Sequence, residues 1–368
     1  DLKLPLDHEE MRIVKYSQED FDNTDDILDI GRENHEINVS HIVYETIFLG
    51  LPIRKFHDQE TNGQICDEEV IKRLKEYQKW LPHVHVDFHE QGINEPYYFA
   101  PAAEPYHEVI TKWQRDFQKM IGNNNAKYFD KNGWLYFTKE IFDLLYPSYG
   151  DTYPTYLGAI GMTYEQAGGG IAGLGIKNDE NLVLTLKDRI QHHYTTGIST
   201  IEMAVKKRPE LIENYKAYFK NKNLRYKNFV LEGGIDQLNE LKDFFDKHNI
   251  KSEQLLKKTS VRGFDYQKQK NTSTTFTKNA LVIPTNQTKG KIAHVLLEPK
   301  TKLSDSLTYD ITAWSLPYAY GLNANATGES LNTVPFEVKK IKIDKINADA
   351  YGYGFTYKSF SAVSYTHL

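Results

Sequence analysis

The sequence predicts an α/β protein, a mixed sheet flanked by helices, followed by a second, smaller α/β domain. Three observations carry this. Apolar alternation with period 2 at 83–89 and an apolar run at 159–164 each end at a cluster of polar, chemistry-bearing side chains. Helical apolar spacing lies between and after these strands, the alternation that builds an α/β fold. After a charged connector at 206–223, a strand, loop and helix pattern begins again.

Residues 1–40 are polar and acidic with short apolar pairs, and read as loop with one or two short elements. The first apolar segment, 41–53, reads as a strand pair broken at Gly50-Leu51-Pro52. A helix is expected over 67–81: Asp67 opens it, Val70, Ile71, Leu74, Tyr77 and Leu81 form its stripe, and Pro82 stops it. It delivers the chain into a strand in which Val84, Val86 and Phe88 alternate with His83, His85, Asp87 and His89. Helical spacing resumes from Pro105 to about Ile121, and 134–158 reads as strand, helix and a tyrosine-rich loop. Ala159, Ile160 and Met162 lead along a second strand to Glu165 and three glycines. A long helix over 184–208 is marked by the spacing of Leu186, Ile190, Tyr194, Ile198, Ile201 and Val205. Beyond the connector, 226–250 reads as strand, loop and helix, and 264–284 and 291–299 as strands with turns between. Residues 335–368 alternate like strands. The expected organisation is an N-terminal segment 1–66, a first α/β region 67–208, a second 224–322, and a strand-rich tail 323–368.

Bulk properties narrow the function classes. At 368 residues with 40% hydrophobic content, the chain can bury cores for two domains. Lys and Arg number 45 against 50 Asp and Glu, and no basic run is long enough to track phosphates, so no nucleic-acid partner is expected. The single cysteine, Cys66, excludes an internal disulfide and a cysteine-rich metal site. No apolar run approaches the ~20 residues of a membrane span, and no signal peptide is present. The abundant aromatics, 25 Tyr and 18 Phe, suit sheet and helix packing and tyrosine-lined clefts.

The chemistry gathers at two strand ends. Asp87 precedes His89 by two residues, so both point to one face of a strand, where a carboxylate can fix the tautomer of a metal-ligating imidazole. Glu165 stands at a strand end beside glycines that let a substrate approach closely, the setting of a general base.

At these residues the chain resembles the zinc carboxypeptidase family, the carboxypeptidase A-like metallopeptidases, especially its large bacterial members. Asp87-Phe88-His89-Glu90-Gln91-Gly92 is similar to the segment bearing the family's third zinc ligand, and Tyr164-Glu165-Gln166-Ala167-Gly168 to that bearing its catalytic glutamate. The resemblance runs from about Glu68 to Ala204 and extends to Leu322. It implies a zinc-dependent peptidase acting on a peptide or peptide-like substrate, with His89 on Zn2+ and Glu165 as base. The alternative is a non-catalytic peptide-binding module of the same fold. The family's other two ligands come from an H-x-x-E motif upstream. His57-Asp58-Gln59-Glu60, followed by Thr61-Asn62-Gly63, has that form, yet only 29 positions separate Glu60 from His89, a shorter interval than the family's. The Asn-Arg pair that binds the substrate carboxylate in the family does not occur there. Either His57 and Glu60 supply the missing ligands or the true motif is lost from this sequence.

The resemblance also implies a substrate-binding tyrosine on the loop before the glutamate, for which Tyr149 and Tyr153 are both candidates. Residues 224–322 resemble a class I glutamine amidotransferase-like domain without a nucleophilic cysteine. Export is expected from the family. The closing VSYTHL resembles translated adapter read-through, so the chain is expected to be incomplete.

Two motifs point elsewhere. Gly168 to Gly173 satisfies G-x-G-x-x-G, but a dinucleotide loop opens straight into a helix, and GLGIKNDEN intervenes here. His192 and His193 diverge by ~100° on a helix and cannot share a metal; one is expected buried and one exposed.

Overall fold

The computed structural model describes residues 81–220, 224–303, 308 and 314–338, and two strands upstream, β1 (Ile13–Ser17) and β2 (Ile27–Gly31). The chain divides into two units after Trp80. In the first, β1 and β2 pair in parallel. The strand pair expected at 41–53, the helix expected from 67 as far as residue 80, and His57 and Glu60 lie outside the described residues.

The second unit is mixed α and β. Its first half runs β3 (Val84–Gln91), β4 (Tyr97–Tyr98), β5 (Ala103–Tyr106), α1 (Lys112–Asn132), β6 (Tyr136–Phe137), β7 (Asp143–Leu144), α2 (Thr152–Tyr156), β8 (Ile160–Ala167), β9 (Gly175–Lys177), β10 (Val183–Thr185), α3 (Leu186–Lys206) and α4 (Arg208–Tyr218). The second half runs β11 (Asn228–Glu232), α5 (Ile235–Lys247), β12 (Glu253–Leu255), β13 (Thr259–Asp265), β14 (Lys270–Phe276), β15 (Leu281–Pro284), α6 (Gly290–Leu297), α7 (Leu316–Ala319), β16 (Asn323–Thr327) and β17 (Thr333–Pro335).

The strands expected at 83–89 and before Glu165 are β3 and β8. They pair in parallel and, with β4 antiparallel to β8 and β6 parallel to β4, form a mixed four-stranded sheet in the order β3-β8-β4-β6. Helix α1 covers it, burying Phe117, Ile121 and Phe129 against Tyr97, Phe99, Met162 and Tyr164. The helix expected from Pro105 starts instead at Lys112, because Thr111 and Gln114 form a capping box: Thr111 Oγ1 accepts the Gln114 N–H and Gln114 Oε1 accepts the Thr111 N–H. It runs on to a left-handed Gly133. Two buried glutamines latch α1 to the approach and start of β8. Gln114 donates to the Thr155 and Ala159 carbonyls and Gln118 to that of Gly161, at 2.7–2.9 Å. At Gly122 a Cβ would lie 2.1 Å from the Ala100 carbonyl oxygen. Gly122→Ala is therefore expected to destabilise by about 2 kcal/mol even after the helix-propensity gain, read as a lower midpoint in urea.

Helix α3 corrects the reading of 184–208. The helix is there, but Leu186, Ile190, Tyr194, Ile198, Ile201 and Val205 face outward, 37–69% exposed. Its inner face carries Arg189, Thr196, Ser199, Thr200 and Met203. Buried tyrosine hydroxyls need partners, which apolar side chains cannot supply. Tyr97 Oη meets Thr196 Oγ1 at 2.9 Å, Tyr164 Oη meets Thr200 Oγ1 at 2.6 Å, and Asn124 donates to Ser199 Oγ.

The remaining strands of the second half form a seven-stranded sheet, β14-β13-β16-β11-β15-β12-β17, antiparallel throughout. Its central pair buries both faces: Phe229 and Leu231 sit opposite Ile283 and Leu281 in one core, and Val230 sits opposite Val282 in another. The first of these cores also takes Val109, Leu144 and Tyr156, so the connector expected to separate two domains is a helix within one unit. The segment 291–299, expected as a strand, is helix α6. Six consecutive residues, Ile292 to Leu297, are buried all round, a pattern whose apolar run alone does not distinguish helix from strand. Within 134–158 the expected central helix is the two-residue strand β7, and the helix lies later, as α2 in the tyrosine-rich stretch.

Candidate active site

The parallel register of β3 and β8 sets His89 beside Glu165 and Asp87 beside Thr163. Neighbours in register project from the same face, and β4 places Tyr98 on the other side of Glu165. His89 Nδ1 lies 3.5 Å from Glu165 Oε1, and His89 Nε2 lies 3.6 Å from Asp87 Oδ2. The imidazole is open, its side chain 57% exposed, whereas that of Glu165 is only 8% exposed. Glu165 Oε2 is buried and has no hydrogen-bond partner among the described residues.

Under this row lies a second carboxyl, Asp151, buried at the start of α2 and accepting the Thr163 hydroxyl at 2.9 Å. Its neighbour Gly150 packs so tightly on Asp87 that a Cβ would sit 1.9 Å from Asp87 Oδ2. Burial pushes the Glu165 carboxyl up to about 7; nearby His89 opposes the shift, and Asp87 and Asp151 add to it. Burial likewise raises Asp151 to about 6, although its hydrogen bonds from Thr163 and the backbone pull the other way. Two carboxyls are thus poised near neutrality beside an exposed imidazole, an arrangement suited to proton transfer at physiological pH.

The strand ends are braced. His193 hydrogen-bonds the backbone of His89 and the Tyr97 hydroxyl, and its ring meets Phe88 edge-on. His192 Nδ1 bonds Gln166 Oε1 at 2.7 Å. Both histidines are half-buried, where one buried and one exposed was expected, because each finds a polar partner on the sheet side of α3. Glu90 pairs with Arg189 at 2.8 Å and accepts the Gly170 N–H, and Arg189 also donates to the Gly173 carbonyl, so the glycine run is clamped beside Glu165. That run opens into the β9–β10 hairpin, with no helix at its end to hold a dinucleotide.

The two tyrosines divide. The Tyr153 hydroxyl is bonded to His248 Nδ1 at 2.6 Å and its ring packs on the larger core. Tyr149 is half-buried against Tyr146 and adjoins Gly150, on the loop that touches Asp87. Sequence reasoning missed Asp151 and His193. Asp151 sits in a loop with no periodic pattern, and His193 was set aside with His192 as a metal pair.

The described residues bring one imidazole and three carboxyls together here, yet no three of their ligand atoms form a group that could hold a metal ion, as a zinc site requires. Elsewhere they gather a group whose ligand atoms lie within 4.8 Å of one another and could hold a metal ion: Glu108, His294 and Glu298. None of the three stood out in the sequence, although His294 and Glu298 are four apart, the spacing that stacks side chains on one helical face. Among the described residues no helix is long and apolar enough to cross a membrane. Compared with known proteins, the chain matches no family model, no curated protein and no solved structure.

Proposed function

We propose that the chain is an exported zinc-dependent peptidase of the carboxypeptidase type, hydrolysing the amide of a peptide or cell-wall-like substrate. The observation that carries this reading is the pairing of His89 with Glu165 in register, an open imidazole 3.5 Å from a buried carboxylate with a free oxygen. Of the described residues, His89 would hold the zinc, its ring flanked by Glu165 at Nδ1 and Asp87 at Nε2.

Zinc, when bound, acidifies water and polarises the scissile carbonyl. Glu165 takes the proton of the attacking water on a carboxylate oxygen and delivers it to the leaving amine nitrogen. Burial, with smaller pushes from Asp87 and Asp151, holds the Glu165 carboxyl basic enough for the first transfer. Tyr149, whose neighbour Gly150 packs on Asp87, is the better placed of the two tyrosines to meet substrate, since it stands next to the site residue.

A second reading, a peptide-binding module without catalysis, is favoured by one fact: the described residues give His89 no second metal-ligating side chain of the family's H-x-x-E type. Metal content after dialysis separates the two. The peptidase reading expects about one zinc per chain, lost in His89→Ala. A metal-free chain, or zinc indifferent to His89→Ala, leaves the binding module.

A further inference from the structure

A cavity in the second unit shares no lining residue with the site above. It has a volume of about 780 Å³ and lies between the start of α1, α4, α6 and the stretch after Glu298. Five cations line it, Lys220, Arg225, Lys291, Lys300 and Lys302, against one carboxylate, Glu108. Such a wall carries an uncompensated positive field that an anion of matching charge would satisfy.

Two of the residues that line this cavity carry a buried ring nitrogen with no partner among the described residues, Trp113 Nε1 and His294 Nδ1. The Trp113 nitrogen is a donor only, and so calls for an acceptor. His294, 1% exposed, has its other nitrogen spoken for: Nε2 lies 3.2 Å from Glu298 Oε2. Glu298 is acceptor-only when ionised, so His294 carries a proton on Nε2. Lys291 donates to the Tyr218 carbonyl and lies over the Tyr218 ring, which leaves two of its three N–H groups for a ligand.

We infer that this cavity binds a small, multiply charged oxyanion, held by Lys291, Arg225 and Lys300 together with the ring N–H of Trp113. The oxyanion is the phosphate group of a phosphorylated compound or a polycarboxylate; both present several acceptor oxygens and no donor that must be satisfied. A bare divalent ion on Glu108, His294 and Glu298 is the rival occupant. It is disfavoured because Glu298 already accepts from His107 at 2.6 Å and Thr301 at 2.8 Å as well as pairing with His294, and because five cations surround the place. The inference does not depend on peptidase activity.

Calorimetric titration of the full chain, dialysed at low ionic strength, with inorganic phosphate, pyrophosphate and citrate tests it. At least one anion is expected to bind once per chain, more weakly as sodium chloride is raised. Pyrophosphate ahead of citrate identifies a phosphorylated ligand, and the reverse order a polycarboxylate. Lys291→Met is expected to weaken binding about tenfold or more, and Trp113→Phe, which keeps the ring and removes the N–H, severalfold. Both variants are expected to keep the thermal midpoint of the parent. Absence of saturable binding by all three anions overturns the inference. So does affinity unchanged in Lys291→Met and Trp113→Phe, or zinc retained by the parent and lost in His294→Gln but not in His89→Ala.

Discussion

Glu165→Gln is expected to lower kcat/KM for peptide hydrolysis by about two to four orders of magnitude, the range a general base supplies, while leaving zinc content unchanged. The pH profile should show the same carboxyl. It works as a base only when ionised, and in the metal-free chain it titrates near 7, so the parent's kcat/KM should rise with pH along an acid limb at or below about 7, since a bound cation can only lower that value. Stability of the metal-free protein moves in the opposite sense. A carboxyl raised from 4.5 to about 7 makes the folded state bind its proton more tightly than the unfolded state, so the stability it contributes is present below about 4.5 and is lost as pH rises through about 7. Glutamine does not titrate. The metal-free variant should therefore gain on the parent across that window, by at most about 3 kcal/mol. Parent-like peptidase rates in Glu165→Gln would remove Glu165 from the chemistry.

The largest stability effect is expected at Glu298. Burial alone would raise its carboxyl, yet hydrogen bonds from His107 and His294 outweigh that and hold it down at about 2. His107 accepts the Val109 N–H on its Nδ1, which fixes its proton on Nε2, 2.6 Å from Glu298. Glu298→Gln removes the shared anion and turns an amide group toward one of two buried donors, and should cost about 3–5 kcal/mol in urea unfolding at pH 7. Because the folded value lies below the unfolded one, this stabilisation is complete above about 4.5 and fades as pH falls toward about 2. The gap between parent and variant should close over that range. A gap that stays constant from pH 7 to pH 3 would mean the loss comes from shape and not from charge.

What could be read from the sequence was the strand pair that carries the chemistry. Period 2 in 83–89 and the apolar lead into Glu165 are local signals, and β3 and β8 follow them closely. That the two strands would lie in register, setting His89 against Glu165, is a tertiary fact that no local pattern contains. The α3 stripe misled for a related reason. Amphipathic spacing shows that a helix has two faces, but here the hydroxyl needs of Tyr97 and Tyr164 decided which face turned inward. Residues 291–299 failed differently: with every side chain from Ile292 to Leu297 enclosed, the contrast that marks a period is missing. Asp151 and Glu298 were silent because a buried carboxylate in a loop or at a helix end looks, in sequence, like any solvated one.

The inner face of α3 has a thermodynamic consequence. It is held to the sheet by tyrosine–threonine contacts and to α1 by serine with asparagine, while its apolar side chains other than Met203 are already largely hydrated in the native state. Releasing this helix uncovers little new hydrocarbon. Its share of the heat-capacity increment and of the denaturant sensitivity of unfolding is therefore small for a 21-residue helix, and cooling should weaken its attachment less than it weakens the apolar cores.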